Sequence, residues 1–191
     1  MAKSRRRARE LALRALYEMD ITRVNPTKVI QDAIDEQEAH FEQRAYAEKV
    51  THGYHEHSEQ INQMLAERIP DYDFSRIAAV DRNVLRMAAY ELFFEPSIPP
   101  AVTINEAIEI AKKYSTAESG RFVNGVLGRL LADSPKANWD PATAPPEGVE
   151  EPPSEPEPEM EIEERFVEAG SDEERSLARI AGWKLKSDNT E

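Results

Sequence analysis

The sequence predicts an all-α fold: a helical bundle of about six or seven helices over residues 1–134, followed by a disordered acidic C-terminal tail. Three observations predict it. Apolar residues recur at i, i+3 and i+4 through most of the first 134 residues, and no segment alternates with period two for long enough to make a strand. Turn and cap residues punctuate those runs at spacings suited to short connections between helices. Composition changes abruptly after Ser134. Residues 1–134 hold 18 Lys+Arg against 21 Asp+Glu, whereas residues 135–191 hold 6 against 16 together with 8 of the 13 prolines. A segment rich in Glu and Pro and poor in aromatics buries too little apolar surface to offset its ordering entropy.

Each element has its own local signal. Ala8, Leu11, Ala12, Ala15, Leu16 and Met19 form a first helix face with Ser4 as N-cap, and Asn25-Pro26 turns the chain. Val29, Ile30, Ala33 and Ile34 make a second, shorter pattern. A third runs through Phe41, Ala45, Tyr46, Val50 and Tyr54, and a fourth through Ile61, Met64 and Leu65 to Pro70; Gly53 weakens the third without clearly breaking it. The most apolar stretch, Ile77 to Leu92, is entered through Asp73 or Ser75 and closes before Pro96. Its apolar positions spread beyond one stripe, which places it at the centre of the bundle. Thr103-x-x-Glu106 and Ser115-x-x-Glu118 then read as capping boxes opening the last two helices. Within the tail, Ser171-Asp172-Glu173-Glu174 opens a short helix over residues 171–185 that is marginal on its own.

Much chemistry is excluded at once. Without cysteine there is no disulfide, thiolate nucleophile, Cys-ligated zinc or iron–sulfur cluster. No run approaches the roughly 18 apolar residues of a membrane span, so a cytoplasmic protein without membrane partners is expected. His52 and His55 share a helical face, but no His-Glu-x-x-His order or third ligand accompanies them. Gly120-x-x-x-x-Gly125 lacks the Lys-Ser/Thr of a phosphate loop and the strand before it. Acidic residues are spread over solvated faces, with no pair set apart for acid–base work. No enzyme, metal or cofactor is expected.

The strongest local signal is the N-terminus. Lys3, Arg5, Arg6, Arg7 and Arg9 place five cations in seven residues of a chain whose net charge is −13. A basic patch surviving against the overall charge is an electrostatic footprint for phosphates. Arginine adds bidentate, planar donors that suit single-stranded RNA, and Tyr17 on the same helix offers a stacking platform. A solvated arm explains the same charges; a membrane-surface helix fits less well, because the opposite face offers mainly Ala and Leu. Gly120, Gly125 and Gly128 permit close helix approach, while Arg121 and Phe122 stand where a helix N-terminus meets nucleic acid. Composition and spacing leave these alternatives open.

Four blocks in register resemble one family. They are Arg5-Arg-Arg-Ala-Arg-Glu10 with Ala15-Leu16-Tyr17, Val80-Asp-Arg-Asn-Val-Leu-Arg86 with Ala89-Tyr90-Glu91-Leu92, Ile104-Asn-Glu-Ala-Ile-Glu-Ile-Ala-Lys112, and Phe122-Val-Asn-Gly-Val-Leu127. Over about residues 3–132 the chain is similar to the bacterial transcription antitermination factor NusB family. The resemblance implies two packed helical sub-bundles and an RNA- and protein-binding adaptor without catalysis. It implies binding of boxA-type RNA of nascent ribosomal transcripts together with NusE, a small-subunit ribosomal protein, in a complex of RNA polymerase with NusA and NusG. Carried over by position, Arg5, Arg6, Arg7, Arg9 and Tyr17 would contact RNA, with Lys3 adding charge. Glu118 and Phe122 would lie beside the same RNA, the carboxylate accepting hydrogen bonds from bases or sugars. Asp81 would face basic NusE, with Arg82 beside it.

Residues 22–72 match loosely, and the segment from Pro135 has no counterpart in the family pattern. Solubility is the simplest role for the tail, with screening of the arginines, autoinhibitory mimicry of RNA or a partner-binding helix at 171–185 as alternatives. The competing functional reading is a helical protein–protein adaptor with little specific RNA binding, in which a homodimer buries the arginine face. The family's fold also occurs fused to RNA methyltransferase domains, but nothing here resembles a cofactor-binding domain.

Overall fold

The computed structural model describes residues 2–22, 28–29, 40–70 and 73–142, with residues 2–4 as backbone only. Six helices account for most of them: α1 (Ala2–Thr22), α2 (Phe41–Glu56), α3 (Ser58–Glu67), α4 (Ala79–Phe94), α5 (Pro100–Tyr114) and α6 (Ser119–Ala132). A single 3-10 turn, Phe74–Arg76, precedes α4. There is no strand among the described residues.

The central position expected for the most apolar helix is observed. Val80, Val84, Leu85, Met87, Ala88, Ala89 and Leu92 of α4 are all exposed by 2% or less. α1 and α2 pack together on one side of α4, α5 and α6 on the other, and all five contribute to one continuous apolar core. The two helix groups implied by the resemblance therefore share α4 as their common wall.

Several local expectations are corrected by tertiary contacts. α1 begins at Ala2, ahead of Ser4. The stretch from Phe41 to Glu67 is two helices, and they part at His57, not at Gly53. Gly53 lies inside α2 because the Tyr90 ring fills the space where a side chain would stand. Phe41 is 84% exposed and Ala45 is also exposed, so the buried stripe of α2 runs instead through Tyr46, Ala47, Val50, Gly53 and Tyr54. Asp73 caps the 3-10 turn by accepting the Ser75 N–H at 2.9 Å, and α4 starts six residues later.

Neither expected capping box forms. α5 starts at Pro100, whose fixed φ and missing N–H suit the first helical position. Thr103 is thereby drawn inside the helix, where its hydroxyl donates to Glu91 instead. α6 starts at Ser119, not after Ser115; Ser115 ends α5. Most of the second apolar pattern, the 171–185 helix and the tail beyond Ala142 lie outside the described residues. Val29 from that second pattern is buried.

The packed body continues past the expected boundary at Ser134. Lys136 is only 4% exposed, and its Nζ donates to the carbonyls of Glu91 at 2.6 Å and Ile98 at 2.7 Å. Trp139 Nε1 donates to the Pro96 carbonyl at 3.2 Å. The segment thus satisfies carbonyls that the end of α4 and the proline turn leave without helical partners.

Burial pushes the Lys136 ammonium down to about 8, although Glu91 and Glu95 pull the other way. Between pH 8 and the ordinary lysine value the unfolded chain holds a proton that the folded chain has released, so this group makes stability rise with pH. The urea midpoint of the parent chain should therefore gain on that of Lys136→Met between pH 8 and 10. A parallel pH dependence of the two would refute the assignment.

Gly53→Ala places a Cβ 2.2–2.3 Å from the Tyr90 ring. The clash should outweigh the roughly 1 kcal/mol gain in helix propensity, leaving a net loss of about 1–2 kcal/mol in chemical unfolding. A neutral or stabilised variant would show that Tyr90 moves aside freely.

Candidate nucleic-acid interface

The basic N-terminus is helical from Ala2, so its arginines are distributed around α1 instead of forming one arm. At 3.6 residues per turn, consecutive arginines point about 100° apart and meet different neighbours. Arg6 points outward, 45% exposed, and holds Glu106 of α5 through Nε–Oε2 and Nη2–Oε1 contacts of 2.7 Å each. That hydrogen bond raises the Arg6 pKa and lowers the Glu106 pKa. Arg7 is half-buried and reaches Glu10 at 3.4 Å. Arg5 is also half-buried, its guanidinium 4.9 Å from the Tyr46 ring centroid. Lys3 lies in the first turn of α1, outside the residues with described side chains.

Arg9 does not belong to the surface. It is 3% exposed, with Nε 2.7 Å from Glu91 Oε1 and Nη2 3.0 Å from Oε2. The Tyr46 hydroxyl donates to Glu91 Oε1 at 2.6 Å, and the Thr103 hydroxyl to Oε2 at 2.8 Å. Burial works against the Arg9 charge, but the Glu91 carboxylate outweighs it and holds the guanidinium above its ordinary range. Burial, together with that carboxylate, likewise pushes the Tyr46 phenol up. Tyr17, expected as a stacking platform, is fully buried in the core. Both expectations fail for one reason: α1 is covered by neighbouring helices, and position on a helix, not residue type, decides which side chains remain outside.

Tertiary structure adds cations that the N-terminal reading missed. Lys113, in the last turn of α5, reaches Glu10 of α1 at 2.7 Å and is 56% exposed. Burial opposes its charge, and Glu10 and Tyr114 together outweigh that and raise its pKa. Lys112 is equally open and pairs with Glu109 at 2.9 Å. The pairs Arg6–Glu106 and Glu10–Lys113 run in step along α1 and α5, so the helices lie side by side in the same direction. The outcome is a seam of alternating charge with Arg6 and Arg7 at one end and Lys112 and Lys113 at the other. In sequence the lysines look like ordinary last-turn cations complementing a helix dipole.

The opening of α6 continues this surface. A Cβ on Gly120 would stand 2.9 Å from the Lys112 stem, so Gly120 allows the close approach of α5. Gly125 and Gly128 face open space and do not serve close helix packing, contrary to expectation. Glu118 and Arg121 are exposed, and Phe122 is half-buried with part of its ring against the core. Lys112, Arg121, Glu118 and Phe122 therefore share one corner of the bundle.

The two residues expected to face a protein partner are engaged inside the fold. Asp81 is buried and accepts the Ser119 hydroxyl at 2.9 Å, tying the start of α4 to the start of α6. Burial raises its pKa against the pull of the Ser115 and Ser119 hydroxyls. Arg82 donates to Asp20 at 2.9 and 2.6 Å and to the Ser75 and Ile77 carbonyls at 2.6 and 3.0 Å. It fastens the end of α1 to the turn before α4.

This all-α body, with its cationic seam, has clear relatives. The NusB family model matches residues 6–132. The chain belongs to the NusB family. It is 40% identical over 129 residues to the transcription antitermination protein NusB of Bacillus licheniformis, covering 68% of this chain and 97% of that one. It is 45% identical over 128 residues to that of Trichlorobacter lovleyi, covering 67% and 90%. Among solved structures, T. maritima NusB superposes with a TM-score of 0.66 at 37% identity, covering 71% of this chain and 96% of that chain. A crystal structure of antitermination factors NusB and NusE in complex with dsRNA matches with a TM-score of 0.65 at 28% identity, covering 70% and 99%. The NusB family consists of transcription antitermination factors, RNA-binding regulators and not enzymes. Among the described residues no helix is long and apolar enough to cross a membrane.

The buried pair gives this NusB-family body a testable dependence. Arg9→Met leaves the Glu91 carboxylate buried without its cation and should cost about 3–5 kcal/mol in urea unfolding. Arg9→Met with Glu91→Leu should recover part of that loss. A single variant within 1 kcal/mol of the parent would deny the pair its structural role.

Proposed function

We propose that this chain binds a boxA-type element of nascent ribosomal RNA together with NusE, as an adaptor for an antiterminating RNA polymerase complex with NusA and NusG in the cytoplasm. The observation that carries the RNA surface is the seam that unites Arg6 and Arg7 with Lys112, Lys113 and Arg121, from segments about one hundred residues apart. Phosphate oxygens would replace the exposed carboxylate of Glu109 at Lys112 and would join the half-buried Glu106 and Glu10 as further partners of Arg6 and Lys113. An exposed ion pair such as Lys112–Glu109 is worth little, so that exchange costs little. Glu118 would accept hydrogen bonds from base or sugar donors, and the outer face of Phe122 would stack on an unpaired base. Arg5 would contribute its charge; Arg9 and Tyr17 would act only by holding α1 in place.

Fluorescence anisotropy with a boxA-type single strand, a scrambled strand and a duplex tests this at low and physiological salt, with and without NusE. The duplex belongs in the set because the related complex contains dsRNA. Selective binding of the boxA strand that NusE strengthens is expected. Arg6→Gln with Lys113→Gln should weaken it about tenfold and flatten the log–log salt slope by about 1.4, near 0.7 for each lost phosphate contact. Equal binding to all three RNAs, unmoved by NusE, would favour the protein–protein adaptor instead; light scattering would then show whether a homodimer covers the seam.

A further inference from the structure

We propose that the glutamate-rich segment 147–164 docks, within its own chain, on the cationic seam of α1 and α5, and there competes with nucleic acid for Arg6, Arg7 and Lys113. The competition rests on the RNA reading above; the docking does not. Residues 147–164 contain nine glutamates and no Lys, Arg or His. That is a polyanion in a chain that exposes Arg6, Lys112 and Lys113 together on the seam, while the exposed Lys28, Arg76 and Arg129 belong to other segments.

The point where the tail leaves the body favours the same occupant. Lys136 and Arg9 converge on one residue: Lys136 Nζ lies 2.6 Å from the Glu91 carbonyl, and Arg9 Nε lies 2.7 Å from its carboxylate. Trp139 is fixed to the Pro96 carbonyl, so the segment leaves beside the C-terminal end of α4. Arg5, Arg6 and Arg7 lie within about one helical turn of Arg9. The tail therefore departs from the arginine end of the seam.

Its length is also sufficient. The twelve residues from Ala142 to Ser154 reach about 20 Å as a flexible coil and about 37 Å as a polyproline-type rod. α1 itself is about 31 Å long. A tethered segment of this reach acts at an effective concentration on the order of millimolar. Arg6 spends Nε and Nη2 on Glu106, leaving Nη1 to donate to a further carboxylate, and Lys113 is more than half exposed. Each added contact is weak and exchangeable, which suits a competitor that nucleic acid must be able to displace.

The absence of cysteine makes the direct test simple. A nitroxide on Ser154→Cys in the full chain, at low salt, should broaden the amide signals of residues 5–10 and 112–121 and spare α3. Salt near 1 M, where the Debye length falls to about 3 Å, should abolish the effect. Broadening elsewhere, or none at low salt, overturns the proposal. So does broadening that persists when labelled and isotope-enriched chains are mixed, because the occupant is then a second copy. Full-length chain with the nine glutamates changed to Gln should also bind scrambled RNA about tenfold more tightly at low salt, with no difference at high salt. If neither form binds any RNA, the RNA reading fails while the nitroxide result still decides the docking.

Discussion

Glu91 is the residue around which the body is assembled. It lies on α4 and is 1% exposed, yet its carboxylate receives Arg9 from α1, Tyr46 from α2 and Thr103 from α5. Its main-chain carbonyl receives Lys136 from the segment after α6. A buried carboxylate is costly unless its charge is matched and its oxygens are hydrogen-bonded, so these groups have little freedom to go elsewhere. Apolar packing brings the helices together without direction. The Glu91 cluster fixes their relative register, and with it the position of the arginines on α1.

A second cluster performs the same task at the far end of α1. Asp20 accepts Arg82, Arg86 and Asn83 from α4, with contacts between 2.6 and 3.1 Å. Burial works against its charge, and the two arginines outweigh that and hold the carboxyl below its usual range. Two ionic anchors about three turns apart leave α1 little room to slide or rotate against α4. This is what turns a basic sequence into a surface. Arg9 is consumed by the anchor, whereas Arg6 projects outward along the seam with α5 and the half-buried Arg7 joins it through Glu10. A recognition surface needs such rigid support, because misplaced donors bind a phosphate poorly and an unpaired base worse.

The seam is a compromise in charge. Its cations are partly neutralised by Glu10, Glu106 and Glu109, of which Glu10 and Glu106 also align α1 with α5. A surface of paired charges is less attractive to stray polyanions than an open arginine cluster, and it gains affinity when carboxylates are exchanged for phosphates in sequence. The acidic tail extends the same logic beyond the body. Neutralisation within the chain sets a threshold that a specific RNA held jointly with a protein partner would pass more readily than a random one.

The sequence by itself determined the all-helical class, the central place of the apolar stretch in α4, the acidic character of the tail and the family. These rest on periodicity, composition and motif order, which are local and additive along the chain. It did not determine where α5 and α6 begin, because Pro100 and the buried hydroxyls of Thr103 and Ser119 answer to neighbours far away in sequence. It placed Arg9 and Tyr17 on a surface, since an arginine or a tyrosine in an amphipathic helix carries no mark of what will cover it. It passed over Lys112 and also Lys113, whose partner Glu10 lies about a hundred residues earlier. Ionic pairing across helices is a property of distance in three dimensions. Only the tertiary structure decided which cations are spent on holding the bundle together and which remain for another molecule.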